Sequence, residues 1–375
     1  MRLRAPSGSD AGHRRVPEAA LTGSYTLAID AMGGDHAPAM VIDGLEIAVE
    51  RHPHARFLLV GDEPALTALL ARRRRARDAC TIRHAAVAIG ADMKPTQALR
   101  TRDSSMRIAI DAVARGDAAG LVSAGNTGAL LTLAKIVLKA LPGIDRPAMA
   151  AIGPSARGDV VMLDLGANVQ CSVRNLVEFA VMGDVFARTV LGLPAPTIGL
   201  LNVGSEDLKG DDTVRQAAEI LRASHLGPQF HGFVEGHDIA AGTTDVIVTD
   251  GFTGNVALKT AEGALKLIGG MLREVFNRNL MTRVAYLLAK PGLDRLREWL
   301  DPRRYNGAVM VGLNGVVVKS HGGTDAQGFA HAVDVAMDMV VHRFNDHIRE
   351  DLARIGLDKR SAREKNANAA GLAPA

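Results

Sequence analysis

The sequence predicts an α/β protein with a mostly parallel sheet, helices on both faces, an antiparallel hairpin and a protruding helical tip. Three observations predict it. Short apolar runs alternate along the chain with segments of helical period, the order that calls for right-handed crossovers between parallel strands. Those runs end repeatedly in polar, glycine-bearing turns. Glycine and alanine are abundant while aromatic residues make up 3% of the 375 residues, which suits helices packed closely on a sheet and not the stacking platforms of a nucleic-acid binder.

Charge and cysteine content narrow the function classes. The formal net charge of +3 is small and dispersed, so no global field favours nucleic acid. Cys80 and Cys171 lie far apart in no metal-like spacing, as in a reducing compartment. No apolar run approaches the roughly 20 residues that span a bilayer. Residues 1–24 combine Arg2, Arg4, Arg14 and Arg15 with Gly, Ser and Pro and are expected to form a disordered basic extension. A main α/β domain is expected over 25–346, with the end of a C-terminal helix and a disordered tail over 347–375.

The first strand, Thr26–Asp30, runs into Ala31-Met-Gly-Gly-Asp-His-Ala-Pro38, and Val41, Leu45, Ala48 and Val49 then give a helical stripe. Phe57–Val60 repeats the arrangement, and the run Arg72–Arg75 behind it reads as a solvated face. After a strand at Thr81–Ala85, Lys94 and Arg100 bracket a proline-fixed segment that leads into a helix with Met106, Ile110 and Val113 on one side and Gly116 as its stop.

Residues 119–138 are the most informative stretch. Leu121 and Val122 end a strand, Ser123-Ala-Gly-Asn-Thr-Gly128 forms a turn, and Leu130, Leu131, Ala134, Val137 and Leu138 recur at helical spacing. The opening amides of such a helix lack internal partners and carry the positive end of its dipole, so the turn suits phosphate. Gly125 and Gly128 permit close approach, and Ser123, Asn126 and Thr127 add short polar side chains. The same stretch equally fits an ordinary strand-to-helix turn capped by Asn126 or Thr127.

Two apolar runs, Ala148–Ile152 and Val160–Asp164, flank a connection, and the second ends in the polar tip Asp164-Leu-Gly-Ala-Asn168. Thr197–Leu201 precedes Asn202-Val-Gly-Ser-Glu-Asp-Leu-Lys-Gly210, after which Asp211 or Asp212 caps a helix. Val246–Thr249 precedes Asp250-Gly-Phe-Thr-Gly-Asn255 and a long helix. In parallel α/β sheets such turns gather beyond the carboxyl ends of the strands, where ligands bind. Asn314-Gly315 between two apolar runs marks the hairpin.

Residues 271–304 differ in kind. Leu280, Val284, Leu287 and Leu288 make an apolar face beside Arg278, Arg283 and Lys290, Pro291 is expected to end the segment, and a further helix carries Leu293, Leu296, Trp299 and Leu300. Composition favours a core or dimer contact, although the same pattern fits a helix lying on an anionic membrane.

Neither a Walker A loop nor a GxGxxG, GxSxG or HExxH signature occurs, and His225, His231 and His237 match no ligand pattern, so neither a metal nor a cofactor is implied. Anion-friendly turns without an evident protein nucleophile suggest that phosphate itself reacts.

Six stretches, Ile29–Pro38, Lys94–Arg100, Ser123–Gly128, Asn202–Gly210, Thr249–Asn255 and Lys319-Ser-His-Gly322, together resemble the bacterial phosphate acyltransferases, which make acyl phosphate from acyl-acyl-carrier protein. The likeness covers roughly Thr26 to Asp346. It implies a homodimer similar in fold to phosphotransacetylase and isopropylmalate dehydrogenase, acting early in phospholipid synthesis in the cytoplasm. It also implies a functional partner in a membrane glycerol-3-phosphate acyltransferase, and peripheral membrane contact through Leu280, Val284, Ala285 and Leu288, against the compositional preference. A phosphotransacetylase acting on acyl-coenzyme A and a non-catalytic membrane-recruiting scaffold are the alternatives.

The chemistry asks little of a protein nucleophile. A phosphate whose second pKa is about 6 is largely dianionic near neutrality, and a thiol of pKa about 8.5 leaves readily. Placing two anionic reactants together and stabilising the oxyanion remain, with positioned donors worth roughly 3 to 4 kcal/mol each. Lys94, Asn126, Lys319 and His321 are the expected catalytic groups. Asp30, Gly33, Gly34, Arg100, Ser123, Gly125, Thr127 and Gly128 are expected around the substrates, with Asp250, Thr253 and Asn255 on the opposite wall.

Overall fold

The computed structural model describes residues 25–355; the expected basic extension and the tail beyond 355 lie outside them. The elements follow in order as β1 (Thr26–Asp30), α1 (Ala39–Arg51), β2 (Arg56–Gly61), α2 (Glu63–Leu70), α3 (Arg74–Ala79), β3 (Cys80–His84), α4 (Pro95–Ala98), α5 (Ser105–Ala114), β4 (Gly120–Ser123) and α6 (Thr127–Leu138). The chain continues with β5 (Ala148–Ser155), β6 (Gly158–Leu163), α7 (Val173–Val190), β7 (Ile198–Leu201), α8 (Asp212–Arg222), β8 (Phe230–Val234), α9 (Gly236–Ala241) and β9 (Val246–Val248). It closes with α10 (Gly251–Asn277), α11 (Leu280–Trp299), β10 (Ala308–Val311), β11 (Val316–Lys319), α12 (Ala326–Val341) and α13 (Phe344–Ile355).

All these strands join one sheet in the order β3-β2-β1-β4-β11-β10-β5-β6-β9-β7-β8. Both faces are covered, which is why the strands read as continuous apolar runs and not as alternating ones. Leu27, Ile29, Val122, Val316, Val318, Val246 and Val248 bury into one core with α1, α7 and α12. Their neighbours Ala28, Leu121, Val317 and Ile247 bury into the other with α5 and α6, as the period of two along a strand requires.

Local signals act where expected. Asn126, Asp211 and Asp250 accept the capping hydrogen bonds of α6, α8 and α10. Gly116 follows α5 with φ +78°; β10 and β11 pair antiparallel as expected, but a four-residue connection over 312–315 joins them, with the left-handed φ of +87° at Gly312 and not at Asn314-Gly315. The basic run splits between a turn and α3, where Arg73 pairs with Asp43 and Arg75 with Glu50 on α1.

Two expectations are corrected. Pro291 does not end a helix; α11 runs through it. A proline removes one backbone hydrogen bond and crowds the preceding turn, a cost borne here on a helix with no buried residue. Nor do the polar turns share one rim. The pairs β11–β10, β10–β5 and β5–β6 are all antiparallel, and three reversals leave β6, β9, β7 and β8 running opposite to β1, β2, β3, β4 and β11. The carboxyl ends of the two parallel blocks therefore leave from opposite edges of the sheet.

Candidate active site

At the first edge, strand register places Asp30 beside Ser123 and Ser123 beside Lys319. Ser105 and Ser123 donate to the two oxygens of the Asp30 carboxylate at 2.6 and 2.7 Å, and Gly125 N–H donates to Ser123 Oγ at 3.1 Å. Complete burial pushes the Asp30 carboxyl above its ordinary range, with both serines, the Met32 backbone and Lys319 working against the shift. Lys319, 8% exposed, donates to the carbonyls of Ala124, at 3.3 Å, and Ser320. Burial brings its ammonium down to about 8 against the pull of Asp30 and Asp35.

The glycines at this edge are tight packing positions. A Cβ on Gly33 would stand 2.6 Å from Gly125 N, and Gly34 has φ +111° beside Ala124 and the Gly322 carbonyl. Asn126 is fully engaged: its Oδ1 accepts from Ala129 N at 3.0 Å, and its Nδ2 donates to the carbonyls of Gly90, Ala91 and Met93 at 3.3, 2.7 and 3.0 Å. That bond set docks the segment carrying Lys94 onto the start of α6, with Pro95 against Gly128. His321 Nδ1 accepts from Gly323 N at 3.2 Å. Lys94, Arg100, Thr127 and His321 are exposed. The structure thus gathers Asp30, Gly33, Gly34, Ser123, Gly125, Asn126, Gly128, Lys94, Lys319 and His321 at one edge. The side chains of Asp30, Ser123, Asn126 and Lys319 are spent on protein partners there.

The opposite edge holds Asp250, Thr253 and Asn255, packed on the turn after β6. Asp164 Oδ1 accepts from the amides of Met149, Gly166 and Ala167 at 2.9, 3.2 and 3.0 Å, and Oδ2 accepts from Asn168 N and Nδ2 at 2.7 and 2.9 Å. Burial still holds this carboxyl above the usual carboxylate range. Asn168 Nδ2 also reaches the Pro147 carbonyl at 2.8 Å, and its own carbonyl accepts from Gly251 N at 2.7 Å, the first amide of α10. Asp250 takes Thr253 N at 2.9 Å and Thr253 Oγ1 at 2.7 Å. Gly254 presses on the Asp164 carbonyl with no room for a side chain, and Asn255 stands next to Gly166.

Beside this corner lies a cleft of about 580 Å³. Leu176, Leu200, Leu201, Val214 and Val248 make its apolar floor, and Thr213, Thr249, Asp250, Phe252 and Thr253 its polar side. The N-termini of α8 and α10 both contribute to the lining. The segment 202–210 borders the cleft through its flanking residues Leu201 and Asp211. Asn202 Nδ2 closes that segment by donating to the Lys209 carbonyl at 3.0 Å, while Gly210, at φ +83°, packs on the Asn202 amide. Cys171 also lines the cleft, but burial, with the charges of Asp164 and Asp250 adding to it, pushes its thiol up to about 11. It is a neutral thiol near pH 7 and a poor nucleophile.

The reading of the sequence left Asp164, Asn168, Thr213 and Ser105 out of the site. The turns Asp164–Asn168 and Asn202–Gly210 carried a visible polar signal, whereas Ser105 meets Asp30 only through the fold.

A single wound α/β sheet with helices on both faces and strands that end in glycine corners has the phosphotransacetylase fold. The likeness to solved structures agrees at the level of fold. A phosphotransacetylase from Streptococcus pyogenes superposes with a TM-score of 0.59 at 17% identity, covering 86% of this chain and 96% of that one. EutD phosphotransacetylase from Staphylococcus aureus gives 0.55 at 15% identity over 84% and 94%. The model of the fatty acid synthesis protein family matches residues 25–347. A protein named phosphate acyltransferase from Granulibacter bethesdensis is 72% identical over 332 residues, 88% of this chain and 90% of the relative. One from Acidiphilium cryptum is 71% identical over 332 residues, 88% and 87%. The chain belongs to the fatty acid synthesis protein family and, with these relatives, to the phosphate acyltransferase enzymes.

Proposed function

We propose that this chain transfers a fatty acyl group from acyl-acyl-carrier protein to inorganic phosphate, giving acyl phosphate for phospholipid synthesis, in the cleft between α8 and α10. The observation that carries the reading is the juxtaposition of an apolar floor with two helix N-termini and a corner of short polar side chains. The floor suits an acyl thioester; at the helix ends the Asp211 and Asp250 carboxylates take the Val214 and Thr253 amides, and the first-turn amides they leave unpaired suit an anion. A phosphate oxygen attacks the thioester carbonyl, the tetrahedral oxyanion collapses, the C–S bond breaks and the carrier leaves as thiolate, which then takes a proton. Asn255, exposed beside the Asp164 corner, supplies a side-chain donor, while Thr253 is held by Asp250 through both its N–H and its hydroxyl. Asp30, Ser123, Asn126 and Lys319 then act as the frame that holds the first edge, with Lys94, Arg100, Thr127 and His321 as its exposed donors.

Peripheral membrane association belongs to the same proposal. No helix among the described residues is long and apolar enough to cross a membrane, yet α11 exposes Leu280, Val284 and Leu288 to solvent beside Ala285. A face of that kind suits an anionic surface flanked by cations, where a membrane glycerol-3-phosphate acyltransferase would consume the product. A homodimer would cover part of the exposed apolar length of α10.

The test is acyl phosphate trapping with hydroxylamine, run with carrier-protein and coenzyme A thioesters, with and without phosphate. Phosphate-dependent product from the carrier thioester is expected, with kcat/KM lowered about 10²–10³-fold by Asn255→Ala, the size of loss seen when one oxyanion donor is removed. Product from coenzyme A alone would replace the donor. A larger loss in Lys94→Ala than in Asn255→Ala would move the reaction to the first edge.

A further inference from the structure

Two exposed apolar side chains belong to the wall of the cleft. Of the nine phenylalanines in the chain, Phe252 alone is exposed, at 63%, and Val169 is 68% exposed. Both line the same cleft as Leu176, Leu200 and Val248, which are buried in its floor. Single apolar residues on a surface need no explanation, but these two share a cavity with a buried apolar floor and are held together by the backbone. Gly251 N–H donates to the Asn168 carbonyl at 2.7 Å, and Phe252 and Val169 are the next residues after that bonded pair. Asn168 is in turn fixed by Asp164 Oδ2 and the Pro147 carbonyl. The backbone of this lip is thus set before any ligand arrives, which spares binding the cost of ordering it.

Phe252 also stands where the head and the chain of an acyl thioester part. In the first turn of α10, the amides of Gly251, Thr253 and Gly254 donate to the Asn168 carbonyl, Asp250 Oδ1 and the Asp250 carbonyl. Phe252 N–H is left as the amide of that turn without a partner among the described residues. Four residues on, one turn along the same face, Val256 is 50% exposed and extends the apolar surface along α10. We propose that Phe252 and Val169 grip a long acyl chain where it leaves the cleft, and so select long-chain over short-chain acyl thioesters. The inference rests on the placing of the reaction in this cleft and adds the residues that set chain length. Their position on the wall of a cleft favours an acyl chain over a second copy of the protein, whose contact calls for about 800 Å² on each partner.

The trapping assay is run with butyryl and palmitoyl carrier-protein thioesters on Phe252→Ala, Phe252→Leu, Val169→Ser, Leu208→Ser and Asn255→Ala. Urea midpoints check folding and light scattering checks assembly. Alanine is the strongest helix former, so Phe252→Ala keeps α10. The ratio of kcat/KM for palmitoyl over butyryl thioester is expected to fall about tenfold in Phe252→Ala and about threefold in Val169→Ser, through a raised KM for the palmitoyl donor. Losses of that size follow when an apolar side chain no longer buries surface against the chain. Phe252→Leu keeps most of the ratio, because leucine retains much of the apolar area. Leu208, 86% exposed and lining a separate cavity, serves as the control, and Leu208→Ser keeps the parent's ratio. An unchanged ratio in Phe252→Ala and Val169→Ser, or an equal fall in Leu208→Ser, overturns the inference. A ratio that falls only together with loss of a dimer also overturns it and assigns the lip to a second copy. If Asn255→Ala lowers phosphate-dependent kcat/KM while the lip variants leave the ratio unmoved, the lip alone fails. If Asn255→Ala leaves kcat/KM unchanged for both donors, the reaction lies elsewhere and the inference falls with it.

Discussion

Asp164→Asn tests the corner on which α10 and the cleft are built. The carboxylate accepts five hydrogen bonds, three at Oδ1 and two at Oδ2. An asparagine with its carbonyl at the Oδ1 position keeps the first three and turns an NH₂ group toward Asn168 N–H and Nδ2, so donors face donors. Reversing the amide loses three bonds instead of two. Hydrogen bonds to charged groups contribute about 1.5–3 kcal/mol each, so two lost bonds cost about 3–6 kcal/mol. The neutral amide avoids the desolvation that holds the Asp164 carboxyl above its usual range, which returns part of that cost and leaves about 3 kcal/mol. Against a total stability of about 5–15 kcal/mol, the loss is large. Urea denaturation measures it from the shift in midpoint at unchanged slope. A variant within about 1 kcal/mol of the parent would refute the view that this carboxylate organises the corner.

Two further predictions concern the first edge and the tip. Lys319 titrates near 8 in the folded chain against an ordinary value of about 10.5. Between those values the unfolded chain binds more protons, and stability rises with pH. Relative to Lys319→Met, the parent should gain about 3 kcal/mol between pH 8 and 10.5, measured by urea unfolding across that window; a flat or falling difference contradicts the buried ammonium. Leu280→Glu and Leu288→Glu should weaken liposome binding roughly tenfold or more, since each removes about 1.5–3 kcal/mol of apolar burial, and leave the assembly state unchanged. Loss of a dimer with lipid binding intact would assign α11 to subunit contact.

Much of the scaffold is legible residue by residue. Apolar runs at Thr26–Asp30, Phe57–Val60 and Val246–Thr249 become strands because both sheet faces are covered, and Asn126, Asp211 and Asp250 cap helices because a short side-chain oxygen reaches the amide three residues on. The site is legible only in pieces. Ser123 and Asn126 have the composition of an anion-binding turn, yet their atoms serve Asp30 and the 90–93 carbonyls, a choice of partner that no spacing along the chain discloses.

The sequence by itself determined most of the elements, the caps at Asn126, Asp211 and Asp250 and the identity of the glycine corners, because each depends on contacts within a few residues. Tertiary structure alone decided which corners meet. The pairing of β10 with β5 joins residues about 160 positions apart, and together with the reversals on either side it sets the second parallel block running against the first. That long-range pairing, which local propensity does not specify, puts Ser123 and Lys319 at one edge and Asp164, Asp250 and Asn255 at the other. It also brings Arg222, at the end of α8, within 5.8 Å of the ring centroids of Phe230 and Phe233 and into reach of Asp207.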